Sequence, residues 1–440
     1  MKIHLQALGC RLNEAELETW SRDCRERGFD LIDDAAQADL VIINTCAVTA
    51  ESVRKSRQLV RRSQRANPQA KVVVSGCYAS LEPEQTIAEL GIDLLVPNTE
   101  KDRLVEIASE RLDLRVMPEA ATEPGENTLL ARGRQRAFIK VQDGCRYRCA
   151  FCIVTRARGE ERSRTIDDIV DEIRQLHALG TREVVLAGVH LGGYGSDNGS
   201  DLRALIEAVL TDTDMPRIRL GSLEPWELPG GFWSLFDNPR LMPHLHLPVQ
   251  SGADSVLRRM SRRCRTSDFA ALVEQARATS ADFNITTDII VGFPGETEAE
   301  WQQTLAFAET MQFGHVHIFA YSARAGTKAA GMPGQLDRNT KRSRSQQLHE
   351  VAERSRIATL QRFRGREFEV LIEGDCGDGT DGRRAWTGYT PNYLRVEVRD
   401  NRGGDLENRI IRVRTGDLDE DRNRLLAQPL IDAGTGMSTP

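Results

Sequence analysis

A chain of 440 residues, 40% apolar and 28% charged, is long enough for two or three domains with cores of their own and has the composition of an ordinary soluble protein. Its opening run, Met1 to Leu8, meets polar residues too soon for a secretory signal, and no stretch reaches membrane-spanning length, so the expectation is a cytoplasmic protein with no membrane partner. A net charge of −6 excludes a uniformly basic nucleic-acid binder; any basic surface has to be local.

Residues 1–118 read as repeated strand-then-helix units. The hydrophobic pattern predicts strands over residues 2–8, 39–44 and 71–75, and helices over 13–27, 49–66 and 82–90. Such alternation implies a parallel sheet with helices on its faces. Three cysteines fall at equivalent places in these units: Cys10 after Leu8-Gly9, Cys46 after Asn44-Thr45, and Cys77 after Ser75-Gly76. Each stands just past the carboxyl end of a strand, the edge at which open α/β sheets bind ligands. Convergence of three thiols there predicts a three-cysteine metal centre.

Residues 119–133, with Pro124 and Gly125 among acidic and small side chains, read as a linker. Just beyond it stands Cys145-Arg146-Tyr147-Arg148-Cys149-Ala150-Phe151-Cys152, a C-x3-C-x2-C spacing that gathers three thiolates and leaves no fourth ligand nearby. Structural zinc is usually closed by four protein ligands, whereas an iron-sulfur cluster on three cysteines keeps one iron open to a small molecule. Zinc with a distant fourth ligand stays as the alternative. Around this motif, residues 132–164 carry ten Arg and Lys against Asp143, Glu160 and Glu161, which favours a polyanionic substrate. Strand patterns over 137–142, 183–187, 217–220, 244–247, 284–291 and 315–320, most of them separated by helices, predict a partial barrel of parallel strands for residues 134–365, with its active face at the strand carboxyl ends. The cysteine motif falls in the first loop on that face. A long basic helix from about residue 338 to 364 closes this domain. From 366 to 432 short strands alternate with Gly/Asp-rich turns, as in a small β-barrel, and 433–440 read as a frayed tail.

The cysteine motif with Phe151 before its third cysteine, the strand-helix barrel and the segment Asp288-Ile289-Ile290-Val291-Gly292-Phe293-Pro294-Gly295-Glu296 together resemble the radical S-adenosylmethionine enzymes. Cys10, Cys46, Cys77 and the terminal barrel narrow the resemblance to the methylthiotransferases, over essentially the whole chain. The fold this implies is α/β: an N-terminal flavodoxin-like parallel-sheet domain, a central partial (β/α)6 TIM barrel and a small antiparallel C-terminal β-barrel of the TRAM kind. The resemblance implies two 4Fe-4S clusters. Cys145, Cys149 and Cys152 would hold the one that binds and reductively cleaves S-adenosyl-L-methionine. Cys10, Cys46 and Cys77 would hold an auxiliary cluster carrying sulfide or polysulfide sulfur. Phe151, Gly188, Glu224, Gln250, Gly292 and Pro294 are the candidates for shaping the cofactor site. Arg156, Arg158, Arg383, Arg384, Tyr393 and Arg395 are the candidates for gripping RNA, since arginine and aromatic side chains stack on exposed bases.

The implied reaction is methylthiolation of a modified adenosine at C2, next to a tRNA anticodon, with an electron donor as a further partner. Gly9-Cys10-Arg11-Leu12-Asn13 and Asn44-Thr45-Cys46-Ala47-Val48-Thr49 look most like the branch acting on N6-threonylcarbamoyladenosine. Thr155-Arg156-Ala157-Arg158 departs from the usual proline-containing sequence after the motif. Isopentenyladenosine in tRNA and a ribosomal-protein aspartate are the rival substrates, and a noncatalytic iron-sulfur or zinc RNA-binding module is the rival class.

Overall fold

The computed structural model describes residues 1–114, 135–378, 384–400, 404–421 and 423–430. The expected linker, the expected tail and Arg383 lie outside the described residues.

Five parallel strands form the N-terminal sheet: β1 (Lys2–Ala7), β2 (Asp30–Leu31), β3 (Leu40–Thr45), β4 (Lys71–Gly76) and β5 (Leu94–Leu95). Their spatial order, β2-β1-β3-β4-β5, is the flavodoxin-like order. β3 reads Leu-Val-Ile-Ile-Asn-Thr and is buried along its whole length, as a central parallel strand covered on both faces must be. The order reverses between β1 and β3, and at such a switch point a crevice opens beyond the strand ends. Cys10 and Cys46 stand at that crevice. The two-residue strands β2 and β5 are too short to leave a periodic signal in the sequence. The expected helix over 82–90 is Pro83–Leu90, with Pro83 at its first turn, and a short helix that was not expected, Cys77–Leu81, precedes it.

The central domain opens with β6 (Arg136–Lys140), followed by a small antiparallel hairpin, β7 (Gln142–Asp143) with β8 (Arg162–Ser163), that brackets the cysteine motif. Five further strands complete the barrel: β9 (Glu183–Ala187), β10 (Arg217–Leu220), β11 (His244–His246), β12 (Asn284–Val291) and β13 (His315–Ala320). They pair in parallel as two three-stranded sheets, β6-β9-β10 and β11-β12-β13, linked by single bridges from Ile218 to Leu241 and from Ser222 to His246. Alternate residues such as Ile139, Leu186, Leu245, Ile289 and Val316 pack outward into the principal core beneath the helices. The other face of each strand therefore lines the lumen. The helix Arg11–Glu26 docks the N-terminal sheet on β6, where Glu18 accepts the Phe138 amide hydrogen bond at 3.2 Å.

After the helix Arg338–Arg362 the chain closes a five-stranded barrel of β14 (Glu367–Asp378), β15 (Arg384–Tyr389), β16 (Arg395–Asp400), β17 (Ile410–Asp419) and β18 (Arg424–Pro429). Four of its pairings are antiparallel, as expected; β16 and β18 pair in parallel, through Val396 and Leu425 among others. The turn between β15 and β16 plugs the amino-terminal end of the central barrel. Arg217 and Arg219 donate to the carbonyls of Thr390 and Pro391 at 2.9 and 3.0 Å, and Asn284 and Asn392 exchange hydrogen bonds with the opposing backbone at 2.9 Å.

Candidate active site

At the ends of β1, β3 and β4 the three N-terminal cysteines come together. A side-chain carbon on Gly9, whose φ is +132°, would lie 2.9 Å from Cys46 Cβ and 3.1 Å from its sulfur, so only glycine lets the first loop pass this close. Cys10 caps the helix Arg11–Glu26 and is exposed, whereas Cys46 and Cys77 are buried. Burial first, and then the neighbouring sulfurs of Cys10 and Cys77, push the Cys46 thiol up. The coupling is itself a sign of how closely the thiols face one another.

Around them lies a buried charge network. Arg158, 2% exposed, donates to Glu16 at 2.8 Å, Asp143 at 3.0 Å, Asn13 at 2.9 Å and the sulfur of Cys77 at 3.3 Å. Lys101, also buried, pairs with Glu16 and lies 3.6 Å from Asp143. Burial alone would raise Glu16, but Arg158 and then Lys101 outweigh it and hold the carboxyl down at about 2. Lys101 is itself pulled below the usual lysine range by burial, so Arg158 is the principal counter-charge. Arg158 was expected at an RNA-binding surface. It is instead a buried tie between the N-terminal thiol site and Asp143, two residues before Cys145.

The second thiol site sits on the β7–β8 hairpin. Gly144 (φ +72°) begins the loop where a side-chain carbon would be 1.8 Å from the Glu160 carbonyl oxygen. The Tyr147 and Val154 amides each donate to a thiol, Cys145 and Cys152, at 3.4 Å, and an Arg262 nitrogen lies 4.0 Å from the Cys149 sulfur. Burial pushes Cys145 up to about 12 and Cys152 to about 11, with neighbouring thiols adding to both and Glu224 adding to Cys145. Both thiols would release protons on binding a metal.

Next to Cys145 lies a group that the sequence did not single out. His190, fully buried, bridges Glu161 through Nδ1 and Glu227 through Nε2, and Tyr147 and Arg146 also bond Glu227. Burial would keep the imidazole neutral, but the three carboxylates of Glu227, Glu224 and Glu161 raise it. Glu224, by contrast, is raised chiefly by burial, and its Oε2 has no hydrogen-bond partner among the described residues. Glu224 Oε2 lies 3.7 Å from His190 Nε2, and a part-buried carboxylate beside Cys145 without a hydrogen bond of its own suits a cationic group of a ligand.

The remaining expected residues are close by or accounted for. Gly188 lets Gln142 approach: a side-chain carbon there would be 3.0 Å from its Oε1, which accepts from the His190 amide at 2.8 Å. Gln250, at φ +76°, exchanges 2.9 Å backbone hydrogen bonds with β12. Gly292 gives room to the Lys341 stem and donates to Glu296 at 3.0 Å, Pro294 is buried, and Phe151 packs against a small core that includes Phe293 and Tyr321. Of the expected RNA contacts, Arg156, Arg384 and Arg395 are exposed. Arg384 bonds Asp375 at 2.6 Å and lies over Trp386. Tyr393 belongs to the barrel plug: it stacks on Tyr389 at 4.8 Å, with Arg136 and Arg219 5.2 and 4.6 Å from its ring centre. Its ring is taken up by the protein, which removes it from the candidates for base stacking.

Residues 2–97 match the uncharacterized protein family UPF0004, and residues 139–308 match the radical SAM superfamily. The threonylcarbamoyladenosine tRNA methylthiotransferase MtaB of Thermotoga maritima is 36% identical over 412 residues, covering 92% of this chain and 93% of that one. The tRNA-2-methylthio-N(6)-dimethylallyladenosine synthase of Methylacidiphilum infernorum is 33% identical over 394 residues, covering 85% and 84%. A solved radical S-adenosylmethionine methyltransferase, TsrM from Kitasatospora setae with cobalamin and a 4Fe-4S cluster bound, shares the fold at a TM-score of 0.56 and 16% identity, over 75% of this chain and 77% of that one. Two three-thiol sites on these two domains, with relatives of this identity along almost the full length, establish that the chain belongs to the radical S-adenosylmethionine methylthiotransferases, enzymes that use S-adenosyl-L-methionine and 4Fe-4S clusters.

Proposed function

We propose that the protein installs a methylthio group at C2 of N6-threonylcarbamoyladenosine, open or cyclised, beside the anticodon of tRNA. The observation that carries this reading is the joining of two three-thiol sites through one buried arginine, which touches Cys77 and Asp143 together. A methylthio transfer needs a sulfur source and a radical source held in register, and Arg158 ties the loops that would carry them. When bound, the clusters and S-adenosylmethionine supply the radical and the sulfur. Cys145, Cys149 and Cys152 would hold the first cluster and Cys10, Cys46 and Cys77 the auxiliary one.

The chain's own part is to bind, orient and exclude water. Glu224 offers its carboxylate to a cationic group of the cofactor, while the His190 bridge fixes the wall beside Cys145. Phe151, Gly188, Gln250, Gly292 and Pro294 shape the surrounding loops. The domains implied are 1–118 for the auxiliary site, 134–365 for the radical site and 366–432 for a barrel that helps hold the anticodon stem-loop through Arg384 and Arg395. A separate electron donor completes the partners.

The test is anaerobic reconstitution with iron and sulfide, then reaction with S-adenosylmethionine, reductant and tRNA bearing N6-threonylcarbamoyladenosine, with nucleosides read by mass spectrometry. A methylthio mass gain on that nucleoside is the expected result. 5′-Deoxyadenosine formed without that gain, with product on isopentenyladenosine or a ribosomal-protein aspartate instead, would move the substrate. Zinc without iron and no cofactor cleavage would contradict the enzyme reading.

A further inference from the structure

Part of the barrel lumen is polar in a way that neither thiol site uses. On β11, β12 and β13 the core-facing residues are Leu245, Ile285, Ile289 and Val316. Strand alternation sends His246, Asp288 and His317 to the other face. His246 Nε2 lies 3.2 Å from Asp288 Oδ1, and its Nδ1 is held by Thr286 Oγ1 at 2.9 Å. The His317 ring meets His246 edge-on at 5.4 Å, and polar atoms of all three side chains lie within 4.8 Å of one another. His317 is exposed despite its place on a barrel strand. Partial desolvation of the ring, and then His246, lower its pKa against the pull of Asp288, which favours the neutral imidazole, able to donate one hydrogen bond and accept another. Arg11, the residue after Cys10, is exposed and paired with Glu14 at 3.0 Å; its guanidinium lies 5.0 Å over the Phe138 ring on β6 and within electrostatic reach of His317.

We propose that His246, Asp288 and His317, with Arg11, form the subsite for the N6 substituent of the substrate adenosine, and that they select a polar, carboxylate-bearing substituent over an apolar one. This rests on the tRNA reading above. A base taken out of its stack into the lumen turns its Watson–Crick edge toward polar side chains, and that edge carries both C2 and the N6 group. A threonylcarbamoyl group offers urea N–H groups to Asp288, a carbonyl and a hydroxyl to the imidazoles, and a carboxylate to the Arg11 guanidinium. An isopentenyl group offers none of these and would displace water from the polar atoms of His246, Asp288 and His317 without replacing its hydrogen bonds, the circumstance in which sites discriminate strongly.

The experiment compares kcat/KM of the reconstituted full-length enzyme on tRNA carrying threonylcarbamoyladenosine and on tRNA carrying isopentenyladenosine. The wild type should prefer the first by about 100-fold or more, and His317→Phe and Asp288→Asn should each shrink that ratio at least about 10-fold. Iron content and circular dichroism establish that each variant is folded and loaded. A third arm needs no variant: methyl esterification of the threonyl carboxylate should lower wild-type kcat/KM about 10-fold or more by removing the charge that meets Arg11. Failure of the wild type on threonylcarbamoyladenosine sinks the tRNA assignment and this subsite with it. Activity there with ratios unmoved in both variants, or an ester as good as the acid, overturns the subsite alone. One equivalent of zinc or manganese lost on His317→Phe would also overturn it, by making the three side chains metal ligands.

Discussion

The two thiol sites are built in opposite ways. Cys145, Cys149 and Cys152 arrive together on one hairpin loop, so their geometry is settled locally by β7, β8 and Gly144. Cys10, Cys46 and Cys77 come from three strands and meet only when β1, β3 and β4 pair in register and Arg158 crosses from the other domain to Glu16. The first site needs only its hairpin in place to gather its three thiols. The second reports on the fold as a whole, and its loss should track loss of domain docking.

Removing one ligand from each site gives the largest contrast. Cys149→Ala should lower 5′-deoxyadenosine formation about a thousandfold, because a cluster short of one thiolate is not held. Cys46→Ala should keep much of that cleavage while losing methylthio transfer. Quantifying 5′-deoxyadenosine and modified nucleoside in the same reactions checks both, and equal loss of both products in Cys46→Ala would erase the distinction between the sites. Arg158→Met comes next: it strips Glu16 and Asp143 of their chief counter-charge and should cost about 3–5 kcal/mol in denaturant unfolding. Iron should be lost first from the N-terminal site.

Acid sharpens the same contrast. Glu16 and Glu227 are both held at about 2 against the opposing effect of burial, Glu16 by Arg158 and Lys101, Glu227 by His190, Tyr147 and Arg146. A carboxyl lowered in the folded state stabilises fully above the ordinary glutamate range, and that stability is lost as pH falls from about 4.5 toward 2. Glu16 is almost wholly buried, whereas the Glu227 side chain is 18% exposed and solvent weakens its share. Hydrogen exchange across that range should therefore show the helix Arg11–Glu26 opening before the β7–β8 hairpin.

What the sequence disclosed was whatever repeats or lies close along the chain. Glycine before Cys10 and Cys77, the eight-residue cysteine motif and the six barrel strands were all legible from pattern. Partners distant in sequence were not. The ten basic residues of 132–164 read as one surface for a polyanion, yet Arg136 is taken up by Glu183 and Glu373, Lys140 by Asp102, Arg146 by Glu161 and Glu227, Arg158 by Glu16, and Arg164 by Glu172. The acid and base of most pairs lie far apart in the chain, so a charge run gives no sign of them. A usable signal for the buried network was present: Asn13 and Glu16, three apart, share the face of the helix that Cys10 begins.

The smallest effects separate the two aromatic and arginine groups of the terminal barrel. Tyr393 is wedged between Tyr389, Arg136 and Arg219, so Tyr393→Ala should cost about 2–4 kcal/mol of stability while changing tRNA affinity little. Arg395 is exposed and makes one long hydrogen bond to Thr387 at 3.4 Å. Arg395→Ala should leave stability within about 0.5 kcal/mol, weaken tRNA binding a few-fold and reduce the salt slope of binding by about one. Thermal unfolding and tRNA titration at several salt concentrations distinguish the two. An unchanged salt slope in Arg395→Ala would mean that the barrel meets no phosphate there, leaving its docked turn, rather than its surface, as the part of it that serves the reaction.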